Sequence, residues 1–343
     1  MTDARGLIVV GASAGGVEAL RAFVAGLPAD LPGAVCVVLH LPRTGTSLLP
    51  QILSRSGPLA ARHATDGADI EGGTIYVAPP NHHLLVRDGR LQLSHGPIEN
   101  GHRPAVDPLF RSAARSWGAS AIAVVLSGNR DDGSYGLAEV ARQGGATLVQ
   151  DPQDALYPSM PRCAAAMVPT ARALPAAMMG AALAELLRDL PGPAPRDAVE
   201  RAEVDAEVAM AAMQDLTVEE LGGVPAGFGC PFCHGALFEV PGTGRFRCRV
   251  GHAWSAAGLL DELGGSLESA LWMALRSLEE KAALSRRMAV SHNRRSSSGA
   301  RFQDIAIDAE TAGEAIRRLI AQIGSVVSQD APAGSGEPAG EVR

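Results

Sequence analysis

The sequence predicts an α/β fold built on a doubly wound, mostly parallel sheet. Continuous apolar runs at 7–10, 35–39 and 121–126 have the length of strands that are buried on both faces. Segments with apolar residues at helical spacing lie between these runs and begin at Val17 and Val106. This alternation is typical of a parallel sheet covered by helices on both faces. In such sheets, ligands bind beyond the carboxyl ends of the strands.

Composition and charge narrow the class of protein. The chain has 343 residues, enough for two or three domains, and its net charge of −7 argues against nucleic-acid binding. Lys281 is the only lysine, which excludes most lysine-based catalysis. No stretch has the ~20 apolar residues of a bilayer span, so membrane insertion is not predicted. Because we also expect no signal peptide, the predicted location is the cytoplasm. Cys36 and Cys163 lie in apolar or alanine-rich runs and are predicted to be buried thiols.

A small-residue turn at 11–16 joins the first predicted strand to the first helix. It suits a phosphate cradle, as in dinucleotide-binding (Rossmann-like) sheets, a G-x-S-x-G turn with Ser13 as nucleophile, or a plain connection. A nicotinamide-dependent enzyme would have a carboxylate at the end of its second strand, where this chain has His40. A short-chain dehydrogenase would also have a tyrosine and a lysine four residues apart, which this chain lacks. An NAD(P)-dependent oxidoreductase is therefore disfavoured.

Three polar side chains fall at the carboxyl ends of predicted strands. Ser13 follows the first strand, His40 ends the second, and Asp132 follows the strand at 121–126. A hydroxyl, an imidazole and a carboxylate are the parts of a nucleophile, a general base and an orienting anion. Each residue alone is more often a loop or turn residue, and Asp131 is an equally good turn former. Their combination on one rim predicts a hydrolase triad.

Four blocks of the sequence together resemble the catalytic domain of the chemotaxis protein-glutamate methylesterases (the CheB family), over about residues 6–190. The blocks are 11–16 with the serine, 38–42 with the histidine, 102–107, and 126–133 with the acid. The resemblance selects Asp132 over Asp131. It implies hydrolysis of glutamate γ-methyl esters on methyl-accepting receptors or related signalling proteins, together with deamidation of receptor glutamine. Backbone N–H groups near Ala14 are candidates to bind the oxyanion of the attacked ester, and the resemblance implies further donors in the Gly128–Asn129 loop.

The sequence departs from the family pattern in three places. Ala14 stands where the family commonly has threonine, and 128–133 differs from the common G-M-G-N-D-G loop. The catalytic strand begins at Leu7, so we expect a stand-alone form without the receiver domain and without control by phosphorylation in cis. A catalytically silent signalling adaptor of the same fold is the alternative, which the intact triad disfavours. The predicted residues of the substrate groove are Arg103, His82, His83 and Met160.

The second half of the chain carries a metal-ligand pattern. A C-x₂-C pair is followed, after fourteen residues, by C-x₃-H. Three thiolates and one imidazole form a closed structural zinc set, which leaves no position open for substrate. Segments 238–240 and 245–247 predict the strands of a zinc ribbon whose partner is a protein. The predicted ligands are Cys230, Cys233, Cys248 and His252, with His234 as a weaker alternative.

A helical region follows the predicted ribbon. Leucines recur every three or four residues over 259–284, and this stripe packs within the chain or against a partner helix. Taken together, the patterns predict a methylesterase-like catalytic domain at 1–190, a linker with a helix at 191–225, a zinc-ribbon-like module at 226–256, helical segments at 257–326 and a disordered tail at 327–343.

Overall fold

The structure is a computed structural model that describes residues 4–190, 202–213, 223–292 and 296–327. The chain divides into two compact units, Met1–Leu260 and Asp261–Arg343. Most of the predicted linker and nearly all of the predicted tail lie outside the described residues. Among the described helices, none is long and apolar enough to cross a membrane.

A seven-stranded parallel sheet forms the centre of the first unit and confirms the predicted fold class. The first nine strands are β1 (Leu7–Ala12), β2 (Ala34–Leu39), β3 (Ala60–His63), β4 (Thr74–Val77), β5 (His83–Arg87), β6 (Arg90–Ser94), β7 (Ala121–Val125), β8 (Ala146–Gln150) and β9 (Arg172–Leu174). Seven of them pair in the order β3-β4-β2-β1-β7-β8-β9, and every neighbouring pair is parallel.

Helices cover both faces of this sheet. Leu7 and Val9 of β1 belong to one hydrophobic core, whereas Ile8 and Val10 belong to the other. Burial on both faces explains why β1 is continuously apolar rather than alternating. The helices of this part are α1 (Gly16–Ala25), α2 (Leu49–Ser56), α3 (Val106–Trp117), α4 (Ser134–Arg142), α5 (Ser159–Met167) and α6 (Met179–Asp189).

The two remaining strands, β5 and β6, form an antiparallel hairpin. Asp88 and Gly89 turn it with φ values of 49° and 75°, as the Asp-Gly pair predicts. The edge strands β3 and β9 were not predicted from the sequence. They are four and three residues long and partly exposed, so they leave no continuous apolar run.

A small antiparallel sheet lies in the same unit. After α7 (Ala202–Ala211) come β10 (Val224–Gly229), β11 (Ala236–Val240), β12 (Arg245–Cys248) and β13 (Ala253–Ser255), which pair in chain order. Residues 224–255 are called the ribbon module below. Its last strand lies against the segment before α3, because Ala253 N–H donates to the Ile98 carbonyl at 3.1 Å.

The second unit contains α9 (Ser297–Val327) and the part of α8 (Ala256–Ser291) that starts at Asp261. Leu275 and Ala282 of the predicted stripe are buried, whereas Leu263 and Leu267 are 38% and 52% exposed. Ion pairs between the helices join Arg286 to Glu310 and Arg317 to Glu279. One part of the stripe therefore packs within the chain and another part is exposed.

Candidate active site

The central strands of the sheet place the predicted triad. β2, β1 and β7 are neighbours, and Ser13, His40 and Asp132 follow their carboxyl ends. Adjacent strands lie ~4.8 Å apart, so residues that are distant in sequence come within reach of one another. The chain also passes from one half of the sheet to the other between β1 and β7, which is where open α/β sheets bind ligands.

His40 joins the serine to the aspartate. Its Nδ1 lies 3.0 Å from Ser13 Oγ, and its Nε2 lies 2.8 Å from Asp132 Oδ2. When Asp132 is ionised, Nε2–H donates to the carboxylate and Nδ1 is left to accept the Ser13 proton. The three side chains thus form one continuous hydrogen-bonded chain from hydroxyl to carboxylate.

Asp132 is held as a carboxylate by its surroundings. Burial opposes its ionisation, but the hydrogen bonds from His40 and from the Val106 N–H outweigh burial and keep the pKa of Asp132 well below its usual range. The Val106 N–H lies 2.7 Å from Oδ2, and Asn100 Nδ2 lies 3.0 Å from Oδ1. The acid is therefore ionised at neutral pH, as an orienting anion must be.

A second histidine lies flat on His40. The rings of His102 and His40 are stacked with centroids 3.6 Å apart and an angle of 11° between their planes. Burial, and next the neighbouring His40, lowers the pKa of His102 to about 3, so its ring is neutral. A neutral ring against one face restricts rotation of the His40 imidazole. His102 was not among the predicted site residues, although it lies in the 102–107 block.

The loop after β7 packs closely against the serine. A Cβ on Gly128 would lie 2.1 Å from Met160 Sδ and 2.8 Å from Ser13 Cβ, so only glycine fits there. Met160 is fully buried, and its N–H donates to the Gly128 carbonyl at 2.9 Å. In the serine turn, the left-handed conformation falls on Gly15, with φ 66°.

Backbone N–H groups beside Ser13 are the predicted oxyanion donors. Gly128 N–H is already used, because it donates to the Tyr157 carbonyl at 2.9 Å. The N–H groups of Ala14 and Asn129 have no hydrogen-bond partner among the described residues. These two groups therefore stay the predicted donors.

The other residues predicted for the groove have structural contacts. Arg103 donates to Asn81 Oδ1 and to two backbone carbonyls, so its guanidinium is engaged within the fold. His83 is fully buried, donates to the Pro97 carbonyl and accepts from the Ala105 N–H. The expectation that His83 lines the groove is wrong, because its ring connects two backbone segments inside the core. His82 is half-buried, and its Nδ1 lies 2.9 Å from the Pro80 carbonyl.

The predicted zinc ligands form a second cluster. Sγ of Cys230, Cys233 and Cys248 and a ring nitrogen of His252 all lie within 4.8 Å of one another. The Cys233 and Cys248 sulfurs are 3.6 Å apart, and His252 Nδ1 is 3.3 Å from Cys248 Sγ and 3.8 Å from Cys230 Sγ. Tetrahedral zinc, with Zn–S of about 2.3 Å and Zn–N of about 2.0 Å, has ligand-to-ligand edges of roughly 3.5–3.8 Å. The cluster therefore has the dimensions of a metal site, and the exposed His234 is not part of it.

The sheet is doubly wound and has a serine–histidine–aspartate chain at its switch point, an arrangement of side chains that serine hydrolases also have. The profile of the CheB methylesterase family matches residues 8–183, from β1 into α6, and the chain belongs to this family.

Known relatives agree with this assignment. A protein of Xanthomonas oryzae pv. oryzae named protein-glutamate methylesterase/protein-glutamine glutaminase 2 is 43% identical over 162 residues, which are 46% of this chain and 45% of that protein. A relative of Anaeromyxobacter dehalogenans with the same name and the number 5 is 41% identical over 173 residues, 49% of this chain and 48% of that protein. The chain thus spans about half the length of the curated relatives it matches. The crystal structure of the Thermotoga maritima CheB methylesterase catalytic domain matches with a TM-score of 0.51 and 30% identity, covering 53% of this chain and 98% of that domain.

Proposed function

We propose that this chain is a protein-glutamate methylesterase that uses Ser13, His40 and Asp132. The observation that carries the proposal is the unbroken hydrogen-bonded chain of 3.0 Å and 2.8 Å that joins these residues. The names of the relatives support the choice of ester. Because an acyl-enzyme forms from amides as well as esters, the proposal includes deamidation of glutamine.

In the proposed reaction, His40 Nδ1 takes the proton of Ser13 while Oγ attacks the ester carbonyl carbon. Asp132 stabilises the imidazolium, and the N–H groups of Ala14 and Asn129 bind the developing oxyanion, each worth roughly 2.7–4 kcal/mol. His40 then gives its proton to the leaving methoxide oxygen, so methanol departs and the glutamyl ester of Ser13 forms. A water activated by His40 hydrolyses this ester and returns glutamate and the serine.

The proposed substrate is a methylated receptor or a related signalling protein in the cytoplasm. The reducing environment of the cytoplasm would keep the thiolates of the metal cluster available. The exposed Leu263 and Leu267 of α8 support a contact with a partner helix over 259–284.

Turnover of a methylated peptide tests the proposed activity. We expect the purified chain to release methanol from receptor-derived peptides that contain a γ-methyl glutamate, and mass spectrometry to show loss of the methyl group. A matched peptide with unmodified glutamate is the control. Binding of the methylated peptide without turnover would identify the silent adaptor and contradict the proposal.

We propose further that Cys230, Cys233, Cys248 and His252 hold one structural zinc ion. The donor set and its edge lengths support zinc, and four protein ligands leave no position for substrate. Bound zinc would join the turn between β10 and β11 to the turn between β12 and β13. The triad belongs to a different part of the unit and is proposed to perform the hydrolysis.

Metal analysis tests the zinc proposal. We expect about one zinc per chain and expect Cys230→Ser to lose the metal and to lower the Tm, because ligand loss removes metal-coupled folding energy. Cys163→Ser, which changes a thiol outside the cluster, is the control and is expected to retain both. A Cys230→Ser protein with unchanged zinc content would contradict the assignment.

A further inference from the structure

The last strand of the ribbon module reaches the catalytic acid through Asn100. Asn100 N–H donates to the Ala253 carbonyl at 2.8 Å, and Ser255 N–H donates to Asn100 Oδ1 at 2.9 Å. Because Ser255 N–H can only donate, the amide oxygen of Asn100 must face it, and the NH₂ group is turned toward Asp132 Oδ1 at 3.0 Å. The ribbon module thus orients the Asn100 amide so that its NH₂ group donates to Oδ1 of Asp132, the oxygen that does not face His40.

A second contact runs through Arg245 of β12. Its Nη1 donates to Asp107 Oδ2 at 2.8 Å, while Asp107 Oδ1 accepts the N–H groups of Gly133 at 3.1 Å and Gly136 at 2.8 Å. Gly133 is the residue directly after Asp132. Arg245 therefore supports the carboxylate that anchors the acid loop to α3.

Asp107 and Asp132 are neighbouring buried carboxylates, each 2% exposed. Burial raises the pKa of Asp107 to about 7; Arg245 opposes this rise, the charge of Asp132 adds to it, and Arg111 from the next turn of α3 opposes it. Among the described residues, the cation that pairs directly with Asp107 is Arg245. Without it, the carboxyl group would take up a proton and become a weaker acceptor for the two glycine N–H groups.

Arg245 is part of a larger buried network of charges. Glu99 pairs with Arg111, Arg245 and Arg247, and Glu207 of α7 pairs with the same three arginines. All of these side chains are at most 3% exposed. Loss of one member leaves an uncompensated buried charge, so the network binds the ribbon module firmly to the hydrolase fold.

We propose that the ribbon module is a positioning part of the hydrolase site, in which Arg245 acts through Asp107 and Ser255 acts through Asn100 to hold Asp132 against His40. Neither residue touches the reacting atoms. The inference rests on the proposed role of the triad and adds a requirement to it: the serine reaches full reactivity only with the ribbon module in place.

The pH profile of Ser13 modification tests this role in the full chain. A fluorophosphonate probe reacts with the serine itself, and by this proposal its rate rises with pH as the Asp107 carboxyl group, which faces Arg245, Arg111 and Asp132, loses its proton. Arg245→Met removes the cation that opposes the raised pKa of Asp107, so this pKa rises further and the rising limb moves to higher pH. We expect a shift of about one pH unit and about tenfold slower labelling on that limb.

Arg247→Met is the matched control, because it removes a buried arginine from the same strand and the same network without touching Asp107. It is expected to lower thermal stability but to leave the rising limb in place. Arg245→Lys, which keeps the positive charge, is expected to bring the rising limb most of the way back to its original position. A folded Arg245→Met protein whose profile superimposes on that of the unaltered protein would overturn the proposal. So would an equal shift in Arg247→Met.

Asn100→Gly keeps the inference testable if Arg245→Met does not fold. Asn100 has φ 51°, a conformation that glycine adopts without strain, so this change removes only the amide bridge. We expect about tenfold slower labelling, which corresponds to the loss of about one hydrogen bond to a charged group. An unchanged rate would contradict the proposal. Failure of the unaltered protein to hydrolyse methyl-glutamate peptides would instead count against the proposed function, since the probe reports the reactivity of the serine whatever its natural substrate is.

Discussion

Replacing Ser13 by alanine is expected to reduce methyl-ester hydrolysis by a factor on the order of 10⁶, as for other serine nucleophiles. The Ser13 hydroxyl lies 3.0 Å from His40 Nδ1, and the attacking oxygen disappears with it. The oxyanion donors of Ala14 and Asn129 are backbone groups and survive the change. A residual rate above that of water is therefore expected from binding and oxyanion stabilisation alone.

Methanol release at saturating peptide measures this loss, and a thermal denaturation curve shows that the fold is intact. Ser54→Ala is the control, because Ser54 is an exposed helical serine on α2, outside the triad. Its activity is expected to equal that of the unaltered chain. Full activity in purified Ser13→Ala protein would show that another group is the nucleophile.

The central strands of the sheet could be predicted because burial on both faces leaves a local signal in the sequence. A strand buried on both faces must be apolar throughout, so β1, β2 and β7 were visible as continuous runs. The triad could be predicted from the same runs, since parallel strands end at one edge and each run is followed by a polar residue. The family resemblance then distinguished Asp132 from Asp131.

The support of the acid could not be predicted, because it depends on pairs far apart in the chain. Arg245 and Asp107 are 138 residues apart and look like ordinary surface charges in the sequence. Nothing local shows that both are almost fully buried and meet beside Asp132. β13 was missed for a similar reason: it is three residues long, and its partners lie partly in another region of the chain.

Asp132→Asn is expected to lower kcat by about 10⁴ while KM stays close to its original value. Oδ2 accepts N–H groups from His40 and Val106, and Oδ1 accepts from Asn100. Asparagine must turn its NH₂ group toward one of these sets of donors. If the new NH₂ group faces His40, it donates to Nε2 and selects the tautomer with the proton on Nδ1, which cannot accept the Ser13 proton. If it faces Asn100 instead, two NH₂ groups point at each other and neither has an acceptor there.

Asp131→Asn is the matched control because it makes the same chemical change at the adjacent residue. Asp131 accepts a hydrogen bond from Ser255 Oγ at 2.8 Å, and an asparagine oxygen can accept it equally well. We expect kcat to stay within about threefold, which corresponds to less than 1 kcal/mol. Equal losses in the two variants would mean that the loop tolerates no amide at all, whereas a loss confined to Asp132→Asn would show that the carboxylate is required at the position facing His40. The negative charge matters there because the imidazolium forms in a buried site, where a neutral amide cannot stabilise it.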